Sequence, residues 1–237
     1  MQKLFWKLLK IASATVLRRR LMKAAMISLR RSSRYLLTDS RSKMSRFHYI
    51  IDPGHGEMTH GKRSPITEDG RQLLEYEFNQ EVAGRLSELL TAHSIRHSVT
   101  ITQPRNHADD VQFRAGYTKG LTDVLDDVIF VSIHGNAGPG NQFNDQFTGV
   151  ETFANEKGEE IAEIFQKHLV RRTKLRNRGV KDGRWIYVLR NANCPAILTE
   201  NGFFNGADFE MMMTDEFRME VAKAHYEAIR EIEKKIK

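Results

Sequence analysis

The sequence predicts an α/β fold: one layered domain with a mostly parallel central sheet of about six strands flanked by helices, preceded by a basic helical arm. Three observations predict it. Short apolar, β-rich runs recur at 47–52, 127–134 and 196–200. Amphipathic stretches of helical period lie between them. The charge balance changes sign near residue 46, which sets an arm (1–46) apart from a body (47–237).

The arm holds 13 Lys/Arg and a single acid, Asp39, whereas the body holds 24 basic and 29 acidic residues. The net charge of +7 therefore belongs to the arm, at +12, and the body is −5. Leu4, Leu8, Ile11 and Val16, with Phe5, Leu9 and Ala12, follow helical spacing, and Lys3, Lys7 and Lys10 fall mostly between them. This is the pattern of a basic amphipathic helix suited to an anionic membrane surface. The basic start, the apolar stretch and Ala12-Ser13-Ala14 also resemble a secretory signal, which would make the protein periplasmic or extracellular. Lys7 and Lys10 interrupt that stretch and Arg18–Arg20 follow it, so cleavage is not expected. Met44, just before the first strand, is an alternative start.

An acidic body argues against nucleic acid as a partner. The single cysteine, Cys194, excludes an intramolecular disulfide framework and a four-thiolate zinc site. It precedes Pro195 in an apolar run and reads as a buried structural thiol. No apolar run approaches the roughly 18 residues of a membrane span.

Within the body, Phe47–Asp52 is a short apolar strand that ends in Pro53-Gly54-His55-Gly56. A polar loop follows, and 73–93 reads as a helix with Phe78, Val82, Leu86, Leu89 and Leu90 on one face. Ser98–Thr102 is a second strand and 109–121 a helix. Asp127–His134 is a buried strand, 149–154 another, and 158–173 a helix. The basic stretch Arg171, Arg172, Lys174, Arg176 and Arg178 reads as a solvated helix end. Trp185–Arg190 is predicted as a strand with Trp185 and Tyr187 in the core. Strand 196–200 and helices over 206–213 and 215–235 complete the domain.

Two histidines occupy equivalent places. His55 lies just past one strand and His134 ends another. Open α/β sheets bind ligands outside the carboxyl ends of their strands, so the two imidazoles can converge. Two histidines and a carboxylate, with a fourth position left for water, make a catalytic zinc site. Glu75 and Glu77, at the start of the first helix, are both candidates for the carboxylate. Glu200 ends the run Pro195–Glu200 and projects at the same edge, where it can serve as a base. Asn136 is a candidate donor to a developing oxyanion. Arg114 stands between substrate contact and a structural role, and Glu151 between substrate contact and packing.

The motifs IIDPGHG, LLEYEFNQEVAGRL, FVSIHGNA, TGVETF, RGVK, YVLR and PAILTENGFF occur in that order. Over residues 47–235 the chain resembles the zinc-dependent N-acetylmuramoyl-L-alanine amidases of the type 3 class. The resemblance implies one Zn²⁺ per chain held by His55, Glu75 and His134, with Glu200 as catalytic acid/base. It selects Glu75 over Glu77 because the ligand stands four residues before an Asn, here Asn79. It implies a peptidoglycan substrate cleaved between N-acetylmuramic acid and L-alanine.

The loop containing Gly61-Lys62-Arg63-Ser64-Pro65 resembles phage and prophage members. That implies an endolysin made in the cytoplasm and acting on the cell wall. Thr102-Gln103-Pro104-Arg105 departs from the family's usual Thr-Arg. The rival readings are another zinc peptidoglycan amide hydrolase or carboxypeptidase, a wall-binding module without catalysis, and a membrane-active protein whose arm is the effector. The oligomeric state is not encoded in any pattern of the sequence.

Overall fold

The computed structural model describes residues 45–100 and 111–236. The expected amphipathic helix of the arm, the end of the strand expected over 98–102, and Gln103–Arg105 lie outside the described residues. Among the described residues no helix is long and apolar enough to cross a membrane.

The described strands are β1 (His48–Pro53), β2 (His97–Val99), β3 (Val128–Asn136), β4 (Val150–Ala154), β5 (Asn177–Asp182) and β6 (Ala196–Phe203). They form one sheet in the order β2-β1-β3-β6-β4-β5. All pairings are parallel except β4 with β6. The chain leaves β1 for β2 on one side and returns to β3 on the other. The order therefore reverses between β1 and β3, and a ligand crevice opens at that point. The helices are α1 (Glu75–Ala92), α2 (Val111–Thr122), α3 (Glu159–Thr173), α4 (Tyr187–Arg190), α5 (Phe209–Met212) and α6 (Asp215–Lys235).

The central strands are continuous apolar runs because both faces are covered. One face packs Tyr49, Ile51, Ile129, Val131 and Ile197 against Phe78 and Leu86 of α1, Phe165 of α3, and Val221 and Ile229 of α6. The other packs Ile50, Val128, Phe130, Ala196 and Leu198 against Val188 and Leu189 of α4, with Val111, Tyr117 and Leu121 of α2 around them. Among the described residues this second cover is thin: α2 shows twelve residues and α4 four. Strand alternation continues the second face to the carboxyl edge as Asp52, Ser132, His134 and Glu200, all polar.

Two expectations need correction. Trp185–Arg190 is not a strand: Tyr187–Arg190 is a helical turn, with Trp185 69% and Tyr187 38% exposed. Its β-branched and aromatic composition favours strand locally, but tertiary packing decides. Val188 and Leu189 are the residues that bury, and adjacent residues of a strand would face opposite sides. The strand is instead Asn177–Asp182, which begins at the end of the stretch 171–178 read as a solvated helix end. As the sheet's outermost strand it carries polar residues and shows no apolar alternation. Cys194 is buried as expected, and burial pushes its thiol up to about 11.

Helix α6 starts at Thr214, whose hydroxyl accepts from the Phe217 amide, with Asp215 and Glu216 in its first turn and Lys234 and Lys235 in its last. Its fully buried His225 has Nδ1 2.8 Å from the Val221 carbonyl, so Nδ1 is the donor and Nε2 accepts from the Thr199 hydroxyl at 2.9 Å. Burial pushes this imidazole down to about 4, against the opposing effect of the Val221 carbonyl. Between that value and the ordinary 6.5 the unfolded chain binds the proton that the folded chain refuses. Stability therefore falls as pH drops through this window, by up to ~3 kcal/mol from this group. Denaturant titrations from pH 7 to pH 4 are expected to show a shallower loss for His225→Gln than for the native chain; equal slopes would refute the assignment.

Candidate metal centre

The turn after β1 is fixed from below. Asp52, on the buried face of β1, accepts from Thr100 Oγ1 (2.5 Å), Ser132 Oγ (2.7 Å) and Arg114 Nη1 (2.6 Å). Arg114 also donates to the Pro53 carbonyl (2.5 Å) and the His55 carbonyl (2.8 Å). It is 2% exposed, so it holds the turn rather than facing a substrate. The Gly54 carbonyl accepts from Asn79 Nδ2 of α1 at 3.0 Å. Between these anchors His55 adopts φ +60°, a left-handed conformation unusual for a side-chain-bearing residue. Conformations of this kind persist only where the surroundings over-determine them.

Three side chains from three elements meet at the β1/β3 reversal. Glu75 is the first residue of α1, and its Oε1 lies 3.0 Å from His134 Nδ1 and 3.4 Å from His55 Nε2. The two imidazoles are edge-to-face, with centroids 4.7 Å apart. One ligand atom from each residue falls within 4.8 Å of the others. Among the described residues this is the one His/Cys/Asp/Glu group so arranged. Glu77, the other carboxylate candidate, is exposed and accepts from the Tyr76 hydroxyl.

Gly54 makes room for this group. A Cβ there would stand 2.0 Å from His134 Cε1. His134 is aligned across the sheet with Glu200 of β6, and Glu200 with Glu151 of β4. The Asn201 amide, next to Glu200, donates to the His134 carbonyl at 2.9 Å. Asn136 donates to Glu151 at 2.8 Å. Gln72 and Leu74, just before Glu75, line an open groove of about 1010 Å³ together with Glu57, Arg63, Ser64 and Asn141.

The electrostatics suit a cation. Burial pushes the Glu75 carboxyl up, but His55 and His134 together outweigh it and hold Glu75 below the usual carboxylate range. Burial, only partly opposed by Glu75, lowers His134 and favours the neutral imidazole that ligates metals. Glu200 is raised well above the usual range by burial first, then by the negative charges of Glu75 and Glu151. Two buried oxygens, Glu75 Oε2 and Glu200 Oε2, have no hydrogen-bond partner. Unpaired buried carboxylate oxygens are costly, and a divalent cation removes that cost. The donors are two nitrogens and a carboxylate, the set that zinc favours. Ligand atoms about 2.05 Å from a tetrahedral ion lie about 3.3 Å from one another, close to the separations around Glu75 Oε1.

The sequence brings out His55, His134, Glu75 and Glu200 but not their supports. Asn79, Asn201 and the space at Gly54 leave no periodic signal. Asp52 is visible only as a polar residue at the end of an apolar strand, where burial demands a partner.

A family model described as N-acetylmuramoyl-L-alanine amidase matches residues 50–231. An uncharacterized cell wall amidase of Bacillus anthracis is 32% identical over 199 residues, 76% of this chain and 34% of that protein. The endolysin of Bacillus phage SPP1 is 28% identical, over 77% of this chain and 64% of its own. The chain thus spans between a third and two thirds of the length of these relatives. The solved N-acetylmuramoyl-L-alanine amidase of Clostridium difficile 630 superposes with a TM-score of 0.68 at 25% identity, covering 81% of this chain and all of that one.

Two substitutions test the construction. Gly54→Ala displaces the His134 ring, so isothermal titration with Zn²⁺ is expected to show affinity weakened about ten- to hundred-fold. Native affinity in that variant would mean that His134 is not a ligand. Arg114→Met leaves the Asp52 charge buried without its cation, and denaturant unfolding is expected to show a loss of ~3–5 kcal/mol. A loss below ~1 kcal/mol would place the support of the turn elsewhere.

Proposed function

We propose that this chain, which belongs to the N-acetylmuramoyl-L-alanine amidase family, hydrolyses the amide between N-acetylmuramic acid and L-alanine in peptidoglycan. The observation that carries the reading is the junction of His55, Glu75 and His134, with Glu200 level with His134 on the next strand. We assign one Zn²⁺ to the three ligands. When bound, it supplies Lewis acidity toward the scissile carbonyl and lowers the pKa of water.

The chain's own residues supply the rest. Glu200 takes a proton from the attacking water as its oxygen bonds to the amide carbon. It then delivers that proton to the departing nitrogen as the C–N bond breaks. Burial first, and then the neighbouring Glu75 carboxylate, raises its proton affinity above that of an ordinary carboxylate. Asn136 fixes Glu151, and through it the polar row beside Glu200. The groove before Glu75 is the space offered to the substrate.

In this reading residues 47–237 are the catalytic domain and the cell wall is the place of action. Similarity to an endolysin and to a cell wall amidase supports that placement and fits synthesis in the cytoplasm. The basic arm would hold the enzyme at an anionic membrane surface, which its 13 cations and single acid support.

The test is mass spectrometry of purified sacculi after digestion. The expected products are intact glycan strands and peptides with new L-alanine amino termini, abolished by a chelator and restored by Zn²⁺. Release of a carboxyl-terminal amino acid instead would identify a carboxypeptidase. Glu200→Gln is expected to retain zinc but lose at least ~10²-fold in kcat, whereas His134→Ala loses zinc and activity together. Native turnover in Glu200→Gln would remove it as the proton carrier.

A further inference from the structure

Beside the metal centre lies a carboxylate that carries no proton in the proposed reaction. Glu151, 5% exposed, sits on β4 opposite Glu200. Its Oε1 accepts from Asn136 Nδ2 at 2.8 Å. Its Oε2 accepts from two cations of the outermost strand, Arg178 Nε at 2.6 Å and Lys181 Nζ at 2.5 Å.

Residues three apart on a regular strand face opposite sides. Here the β4–β5 register shifts between the Val150 and Thr152 pairings, and Gly179 takes φ +81° within that shift. This bulge turns Arg178 and Lys181 onto one carboxylate oxygen. Burial pushes Glu151 upward, but Lys181 and Arg178 outweigh it and keep the group ionised. One anion thus meets two cations, and a single positive charge is left over next to Glu200.

The surplus is already oriented. The Arg178 guanidinium lies 4.7 Å from the centroid of the Phe203 ring, and its Nε is committed to Glu151. Its two terminal nitrogens, the pair that grips a carboxylate in a fork, have no hydrogen-bond partner among the described residues. The side chains of Arg178 and Lys181 are 29% and 37% exposed, so both are within reach of a bound molecule.

We propose that Arg178 and Lys181, clamped by Glu151, form a subsite for a carboxylate carried by the peptide side of the substrate. Its occupant is the free carboxylate of the residue after the alanine whose nitrogen departs. This subsite rests on the amidase reading and adds specificity to it. It favours peptides whose second residue keeps a free α-carboxylate over those in which that group is amidated.

The test is steady-state kinetics of the zinc-loaded full chain on two synthetic N-acetylmuramoyl-L-alanyl peptides, identical except for a free or amidated α-carboxylate on the second residue. The native chain is expected to favour the free carboxylate about ten-fold or more in kcat/KM, expressed in KM. Arg178→Gln is expected to erase that preference, and Arg178→Lys to restore only part of it because the fork is lost. Lys181→Gln is expected to shrink it, and serves as the independent variant should Arg178→Gln fail to fold. Equal use of the two substrates by the native chain, or an undiminished preference in Arg178→Gln or Lys181→Gln, would overturn the subsite while leaving the amidase reading intact. Cleavage of neither substrate would overturn both.

Discussion

The molecule is organised around a buried carboxylate facing two imidazoles. Glu75 is 1% exposed, and one of its oxygens lies within 3.4 Å of both His55 and His134. Such a group is unfavourable without a positive partner, and the fold has to hold it in place. The strand reversal between β1 and β3 supplies the opening, and the first residue of α1 supplies the carboxylate. Everything nearby either orients a nitrogen or makes space for one.

The supports are themselves buried and polar. Asp52 and Arg114 pair beneath the turn, so the left-handed backbone at His55 is held by hydrogen bonds to its own carbonyl and to its neighbours'. Asn201 and Thr199 extend this framework to His225 of α6, so the core behind the sheet and the site in front of it share one network. Its hydrogen bonds hold the ligand-bearing backbone from several sides and give the site its rigidity, while Arg114 Nε, Asn79 Oδ1 and Asn201 Oδ1 stay buried without a hydrogen-bond partner. Rigidity of this kind suits the proposed amide hydrolysis, in which misplacement of the reacting groups costs rate.

Much of this was legible in the sequence. The interior strands announce themselves because burial on both faces leaves continuous apolar runs, and histidines at two strand ends point to one edge. The type 3 amidase motifs separated Glu75 from Glu77, which spacing alone did not. The edge strand Asn177–Asp182 was hidden because an edge needs no apolar face, and its bulge broke the period that would reveal a strand. Trp185–Arg190 misled because strand-forming residues there serve a helical turn. Arg114 looked ambiguous because only the fold shows that its guanidinium ends among backbone carbonyls rather than in solvent. The clamp of Arg178 and Lys181 on Glu151 was invisible for the same reason as the strand that carries it.

The most direct test of the metal centre is anomalous diffraction at the zinc edge from crystals of the zinc-loaded chain. A single strong peak is expected in contact with His55 Nε2, Glu75 and His134 Nδ1, with Glu200 beside it and outside the protein ligand set. A peak held by other residues, or none at this position, would contradict it.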